Sequence, residues 1–136
     1  MQLKPTLTHE DVSTLLEAAK AEATQHQWAV SIAVTDDGGH LLGYVRLDGA
    51  PPMSAYIAPA KARTAALGRR ESRIFEEMIN QGRMSFLSAP ELEGLLEGGV
   101  PVMVDGFCAG AVGVSGVKSI EDAQIAKAAI AALLAK

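Results

Sequence analysis

Gly98-Gly99-Val100-Pro101-Val102-Met103-Val104-Asp105-Gly106-Phe107-Cys108-Ala109-Gly110-Ala111-Val112-Gly113-Val114-Ser115-Gly116 is the stretch on which the fold turns. Two apolar runs meet at Asp105-Gly106, a pair that tolerates positive φ and predicts a tight antiparallel hairpin. In the second run Gly110, Ala111 and Gly113 leave a strand with little side-chain bulk, open to close approach by another backbone or a flat ligand. Gly113 to Gly116 then leads into a helical pattern, and free backbone N–H groups at a helix entry can receive an anion.

Working outward, Thr8 followed by Asp11 signals a helix start, and Val12, Leu15, Leu16, Ala19 and Ala23 recur at helical spacing. Trp28 to Thr35 is a β-rich apolar run, Asp36-Asp37-Gly38-Gly39 is turn chemistry, and Leu41 to Leu47 resumes strand character, which makes a first hairpin. Asp48-Gly49-Ala50-Pro51-Pro52 stops that strand, because consecutive prolines cannot donate to a ladder. A helix follows from about Ser54 to Gly68, slim because of Ala55, Ala58, Ala60, Ala62, Ala65 and Ala66, with Pro59 marking an early turn or a kink. Glu71 to Gln81 predicts a short helix with Ile74, Phe75, Met78 and Ile79 as its apolar face. Pro90 and Gly94 interrupt Arg83 to Glu97, which has room for a short edge strand. The last helix begins at Ser119, whose spacing to Asp122 resembles a capping box, and presents Ile125, Ala126, Ala129, Ile130, Leu133 and Leu134. Two hairpins with helices between and around them give an α+β fold with an antiparallel sheet.

The 136 residues fit one domain, 1–136, that buries roughly two thirds of its unfolded surface without disulfides. The single Cys108 has no internal partner and reads as a small hydrophobe in a strand. Lys4, His9, Glu10 and Asp11 leave no apolar signal-peptide core, and no run reaches the ~20 residues of a membrane span, so a reduced, cytoplasmic setting is expected. The net charge of −4 argues against nucleic-acid binding, which draws on phosphate neutralisation. Charge is uneven, however: Lys61, Arg63, Arg69, Arg70, Arg73 and Arg83 are six of the twelve basic residues. They read either as a solvated, salt-bridged helix face or as a field that attracts a small carboxylate or phosphate.

Several chemistries fail on spacing. Gly113-Val114-Ser115-Gly116-Val117 lacks the second glycine of a hydrolase nucleophile elbow, and His9, His26 and His40 all precede Ser115. Ser115 reads instead as a turn hydroxyl or a ligand hydrogen-bond donor. There is no Gly-Lys-Ser/Thr phosphate loop, no dinucleotide fingerprint opening a βαβ unit and no zinc-ligand pair. Glu76 and Glu77 diverge around a helix and read as solvated surface. The suggestive polar set is Asp36, Arg46, Asp48, Ser54 and Lys61: strand ends and the following helix can bring Arg46 and Lys61 to one mouth as two cations for a carboxylate, with Asp48 holding Arg46. The competing reading is structural, with Asp48 capping a turn and pairing with Arg46.

Val34-Thr35-Asp36 with Gly38-Gly39, Arg46-Leu47-Asp48-Gly49-Ala50, Ile57-Ala58 with Lys61-Ala62, Gly98-Gly99-Val100-Pro101, and Gly110 to Gly116 with Asp122 run in order along nearly the whole chain. In this combination the sequence resembles the GlcG/HbpS family. The resemblance implies a five-stranded antiparallel sheet between helices, a profilin-like α-β-α sandwich that self-associates into homo-oligomers. It also implies binding of haem or related tetrapyrroles in some members, links to glycolate utilisation in others, and use as an accessory domain in corrinoid-processing proteins. No histidine falls within the shared blocks, so an axial haem ligand would come from His9 or Met53. The resulting expectation is a small protein that binds haem or a small acidic organic molecule through Arg46, Asp48, Ser54, Lys61, Gly113 and Ser115. The alternatives are an enzyme acting on haem or a small hydroxy acid such as glycolate, and an accessory oligomeric subunit without small-molecule activity.

Overall fold

A computed structural model describes residues 1–136. Helix α1 spans His9–Gln25; strands β1 (Ser31–Asp36) and β2 (Leu41–Arg46) form the first hairpin; helices α2 (Ser54–Gly68) and α3 (Ser72–Asn80) follow; strands β3 (Gly99–Val104) and β4 (Phe107–Ser115) form the second hairpin, and α4 (Ser119–Leu134) closes the chain. The sheet is antiparallel, in the order β2-β1-β4-β3.

It has four strands where the family resemblance implied five. The segment between α3 and β3 holds a single 3-10 turn, Met84–Ser88, and no edge strand. Gly94 explains this locally: its backbone lies so close to Ala60 and Lys61 of α2 that a Cβ would collide with them. The segment therefore packs on the helix instead of pairing with the sheet.

Local chemistry sets the element ends. Thr8 caps α1 reciprocally with Asp11, each backbone N–H donating to the other's side chain. At the second hairpin Asp105 and Gly106 both take positive φ, 52° and 81°, as a two-residue primed turn requires. At α4, Glu121 and not Asp122 reaches back to the helix start, accepting from Lys118 N–H at 3.2 Å. The capping role expected of Asp122 is displaced because its carboxylate is engaged elsewhere.

The two faces of the sheet differ in kind. One carries Ile32, Val34, Val102, Val112 and Val114 against Leu15, Ala19 and Ala23 of α1 and Ile125, Ala126 and Ala129 of α4. The other presents Ala33 and Ala111 to Ala58, Ala62, Ala65 and Ala66 of α2. Gly113 and Gly99 extend this second face: a Cβ at Gly113 would strike Ala58 O and Ala62 N, and one at Gly99 would strike Lys61 O. Helix α2 thus rests on the sheet backbone to backbone, and the small residues of β4 serve this approach. Cys108 is buried, as expected of a small hydrophobe.

Candidate functional site

The close seating of α2 carries Lys61 inward. Only 3% of its side chain is exposed, and its ammonium donates to Val114 O at 3.0 Å and to Asp122 Oδ2 at 3.1 Å. Asp122, 2% exposed, accepts from Val117 N–H through its other oxygen at 3.2 Å. One carboxylate therefore ties together α2, the end of β4 and the first turn of α4. Burial raises the Asp122 pKa above the ordinary 3.8, although the Lys61 charge and the Val117 N–H pull the other way. An ammonium has three N–H groups, and two are used here.

The pair forms the inner wall of a cleft of about 230 Å³ between α2 and the start of α4. Met53, Ile57, Leu96 and Val117 give it apolar lining, and Ser115 borders it as well. Met53 is 64% exposed and stands at the rim. Glu76, read from sequence as solvated, turns inward to this cleft and accepts from Glu97 N–H at 2.7 Å, whereas Glu77 stays exposed and pairs with Arg73.

Lys61 and Ser115 thus meet at one cleft, and the other expected residues are distributed around it. Ser54 is fully buried and gives its hydroxyl proton to Pro51 O at 2.6 Å, while its oxygen stands 2.8 Å from that of Ser31. With that proton committed, Ser31 must donate to Ser54 and therefore accept from Tyr44, 3.0 Å away. Three hydroxyls form a one-way chain from the exposed Tyr44 to the Pro51 carbonyl. Arg46 lies on edge strand β2 and donates to Ala50 O at 2.9 Å. The expected pairing of Asp48 with Arg46 is absent from the ion pairs; Asp48 is exposed, and the Ala50 carbonyl takes the guanidinium. Arg46 and Ser115 flank Ser31 in register, which sets their backbones about 10 Å apart, two inter-strand spacings. Gly113 is closed over by α2. Asp36 belongs to the first turn, where it accepts from the backbone of Gly38 and His40 and from the His40 ring. His9 begins α1 on the opposite face of the sheet.

The basic segment is likewise dispersed. Arg63 pairs with Glu91, Arg73 with Glu71 and Glu77, and Arg69 donates to Asp37 O and Ala66 O. Arg70 and Arg83 lie over Phe75 and Phe86.

The sequence matches a family model described as haem degrading protein HbpS-like over residues 7–131. The chain belongs to the HbpS-like family. It is 56% identical to protein GlcG of Escherichia coli K12 over 115 residues, covering 85% of each chain. The crystal structure of protein ORFY of Klebsiella pneumoniae superposes with a TM-score of 0.93 at 27% identity, over 100% of this chain and 96% of that one. A crystal structure described as a PduOC:heme complex superposes with a TM-score of 0.85, also at 27% identity, over 93% and 94% of the two chains.

Asp122 is the residue that sequence reasoning left outside the candidate site. Its signal was present: an aspartate beside Ala123 and Ile125 on the apolar side of α4 needs an internal partner.

Proposed function

We propose that this protein binds a small acidic ligand of the tetrapyrrole class, haem first among them, and acts as a binding protein. The observation that supports this most directly is the haem complex of the PduOC chain, whose fold matches over nearly the full length. The apolar residues at the cleft suit the hydrocarbon body of such a ligand, whereas its acidic groups meet Lys61 beside the Asp122 and Glu76 carboxylates and depend on Arg46 outside the cleft for a second cation. Met53, Ile57, Leu96 and Val117 offer apolar contact, and Lys61 keeps one N–H group in reserve for a carboxylate. Arg46 supplies a second, exposed cation, and Ser115 a hydroxyl in the lining. Ser54 acts indirectly, fixing the turn that carries Met53, and Gly113 acts by letting α2 seat Lys61. Met53 at the rim is the better placed of the two expected axial donors. With a volume below the ~300 Å³ of common ligand pockets, the cleft grips one edge of a macrocycle and leaves the rest against exposed surface.

Self-association belongs to the same reading. Strand β2 is a sheet edge, and its Leu41, Leu42 and Tyr44 are exposed. Native mass spectrometry of freshly purified protein reads both parts at once, with a haem-mass adduct and multiples of 14.2 kDa as the expected result. In haem titrations followed by absorbance, Arg46→Ala weakens binding about tenfold while leaving thermal stability unchanged. Undiminished haem affinity in both Arg46→Ala and the Lys61→Met/Asp122→Leu double variant overturns the assignment to this cleft.

A further inference from the structure

The Lys61 cleft has a neighbour. Leu96 and Glu76, which line the cleft, also line a second cavity of about 330 Å³, a groove between α3 and the segment 84–96. Ile79 of α3, Leu87 of the 3-10 turn and Leu95 give the groove its apolar walls. These walls are within reach of a ligand, since Leu87 is 59% and Leu96 45% exposed.

The ridge that divides the two cavities is held in place from α3. The hydroxyl of Ser72 donates to Leu96 O and accepts from Gly99 N–H at 2.8 Å, and Glu76 accepts from Glu97 N–H at 2.7 Å. Ser72 and Glu76 are four residues apart and share one side of the helix, so a single face of α3 pins residues 96–99. Leu96 thus stands exposed on a backbone that is already fixed, and ordering it costs a ligand little.

Size and charge then set how a ligand lies. The Lys61 cleft alone, about 230 Å³, is smaller than the ~300–1,000 Å³ of common ligand sites, so the body of the ligand must continue beyond it. Toward α4 the lining turns to Gly116 and Ser119, whereas across Leu96 it stays concave and apolar. Neither Glu76 nor Glu93, the carboxylates of the groove, has a cation within ion-pair distance. The groove therefore repels carboxylates and favours an uncharged hydrocarbon edge. We infer that this groove is the second half of the ligand site, with the ligand lying across Leu96, its hydrocarbon edge against Ile79 and Leu87 and its acidic edge turned away toward Lys61 and Arg46. This rests on the tetrapyrrole reading given above and adds the residues that hold the far edge.

Leu87 tests it best, because it lines the groove and not the cleft. Zinc protoporphyrin, a diamagnetic probe, is titrated into the whole protein and followed by amide NMR, and haem is titrated by absorbance. The zinc porphyrin binds saturably and shifts the Ile79 and Leu87 amides together with those of Lys61 and Ser115. Leu87→Gln weakens haem about tenfold without changing the melting temperature, since the side chain is exposed in the free protein. Leu87→Met, which keeps the apolar contact, binds haem as the wild type does. If Arg46→Ala weakens haem while Leu87→Gln retains full affinity, or if the porphyrin shifts the cleft amides and leaves those of Ile79 and Leu87 unmoved, the inference falls and the cleft assignment stands. Absence of binding by both porphyrins overturns the tetrapyrrole reading and this inference with it.

Discussion

The contact between Lys61 and Asp122 has opposite consequences depending on which member is removed. Taking away one partner leaves a buried charge uncompensated, so Asp122→Leu is expected to cost about 3–5 kcal/mol in urea unfolding. Lys61→Met/Asp122→Leu, which replaces both by apolar groups, recovers most of that loss, and the coupling read from the double-mutant cycle is large. The pH dependence has a definite sign. Because folding raises the Asp122 pKa above 3.8, the folded state holds this proton more tightly than the unfolded chain. The stabilisation linked to that proton is fully present below about pH 3.8 and is lost as pH rises through the folded pKa. Compared with Asp122→Asn, which cannot titrate, the wild type therefore loses stability over that window and then levels off; an unchanged difference from acid to neutral pH contradicts the raised pKa. Lys61 was legible in the sequence as a candidate, but its partner was not. The two are 61 positions apart, and no local spacing reports a pair that only docking of α2 and α4 creates. Arg46 shows the opposite case: Asp48 lies close in sequence, yet the chain turns Arg46 to the Ala50 carbonyl instead.

At the scale of elements, turn chemistry and helical periodicity identified both hairpins and all four helices, since these signals are local. The Asp105-Gly106 turn is the clearest example, because the backbone conformation it favours is the one it adopts. The segment between α3 and β3 was not legible in the same way. Its course is fixed by contact of Gly94 with α2, a tertiary constraint with no sequence period. The glycines of β4 were read as open to a backbone or a flat ligand, and at Gly113 the answer is a backbone. Gly113→Ala consequently pushes α2 off the sheet, with an expected cost at or above the upper end of the roughly 1–3 kcal/mol of overpacked cores. Ala62→Gly does not rescue it, since the Ala58 carbonyl remains in the way. Full recovery of chemical stability in that double variant would show that the contact is made by side chains.

For the whole molecule, the sheet separates two unlike layers. On the α1/α4 side, Leu15 is fully buried among branched side chains, and Leu15→Ala is expected to cost about 2–5 kcal/mol in equilibrium unfolding. On the α2 side the contact is made by alanine and glycine, which have almost no rotamers to lose on folding. That seam removes little hydrocarbon area from water per residue and gains its cohesion from short-range dispersion. The heat capacity of unfolding follows exposed apolar area, so it is set mainly by the branched layer. The curvature of stability with temperature, and any weakening on cooling, thus originates on the α1/α4 face, while the α2 face, which seats Lys61, is held by terms that vary little with temperature.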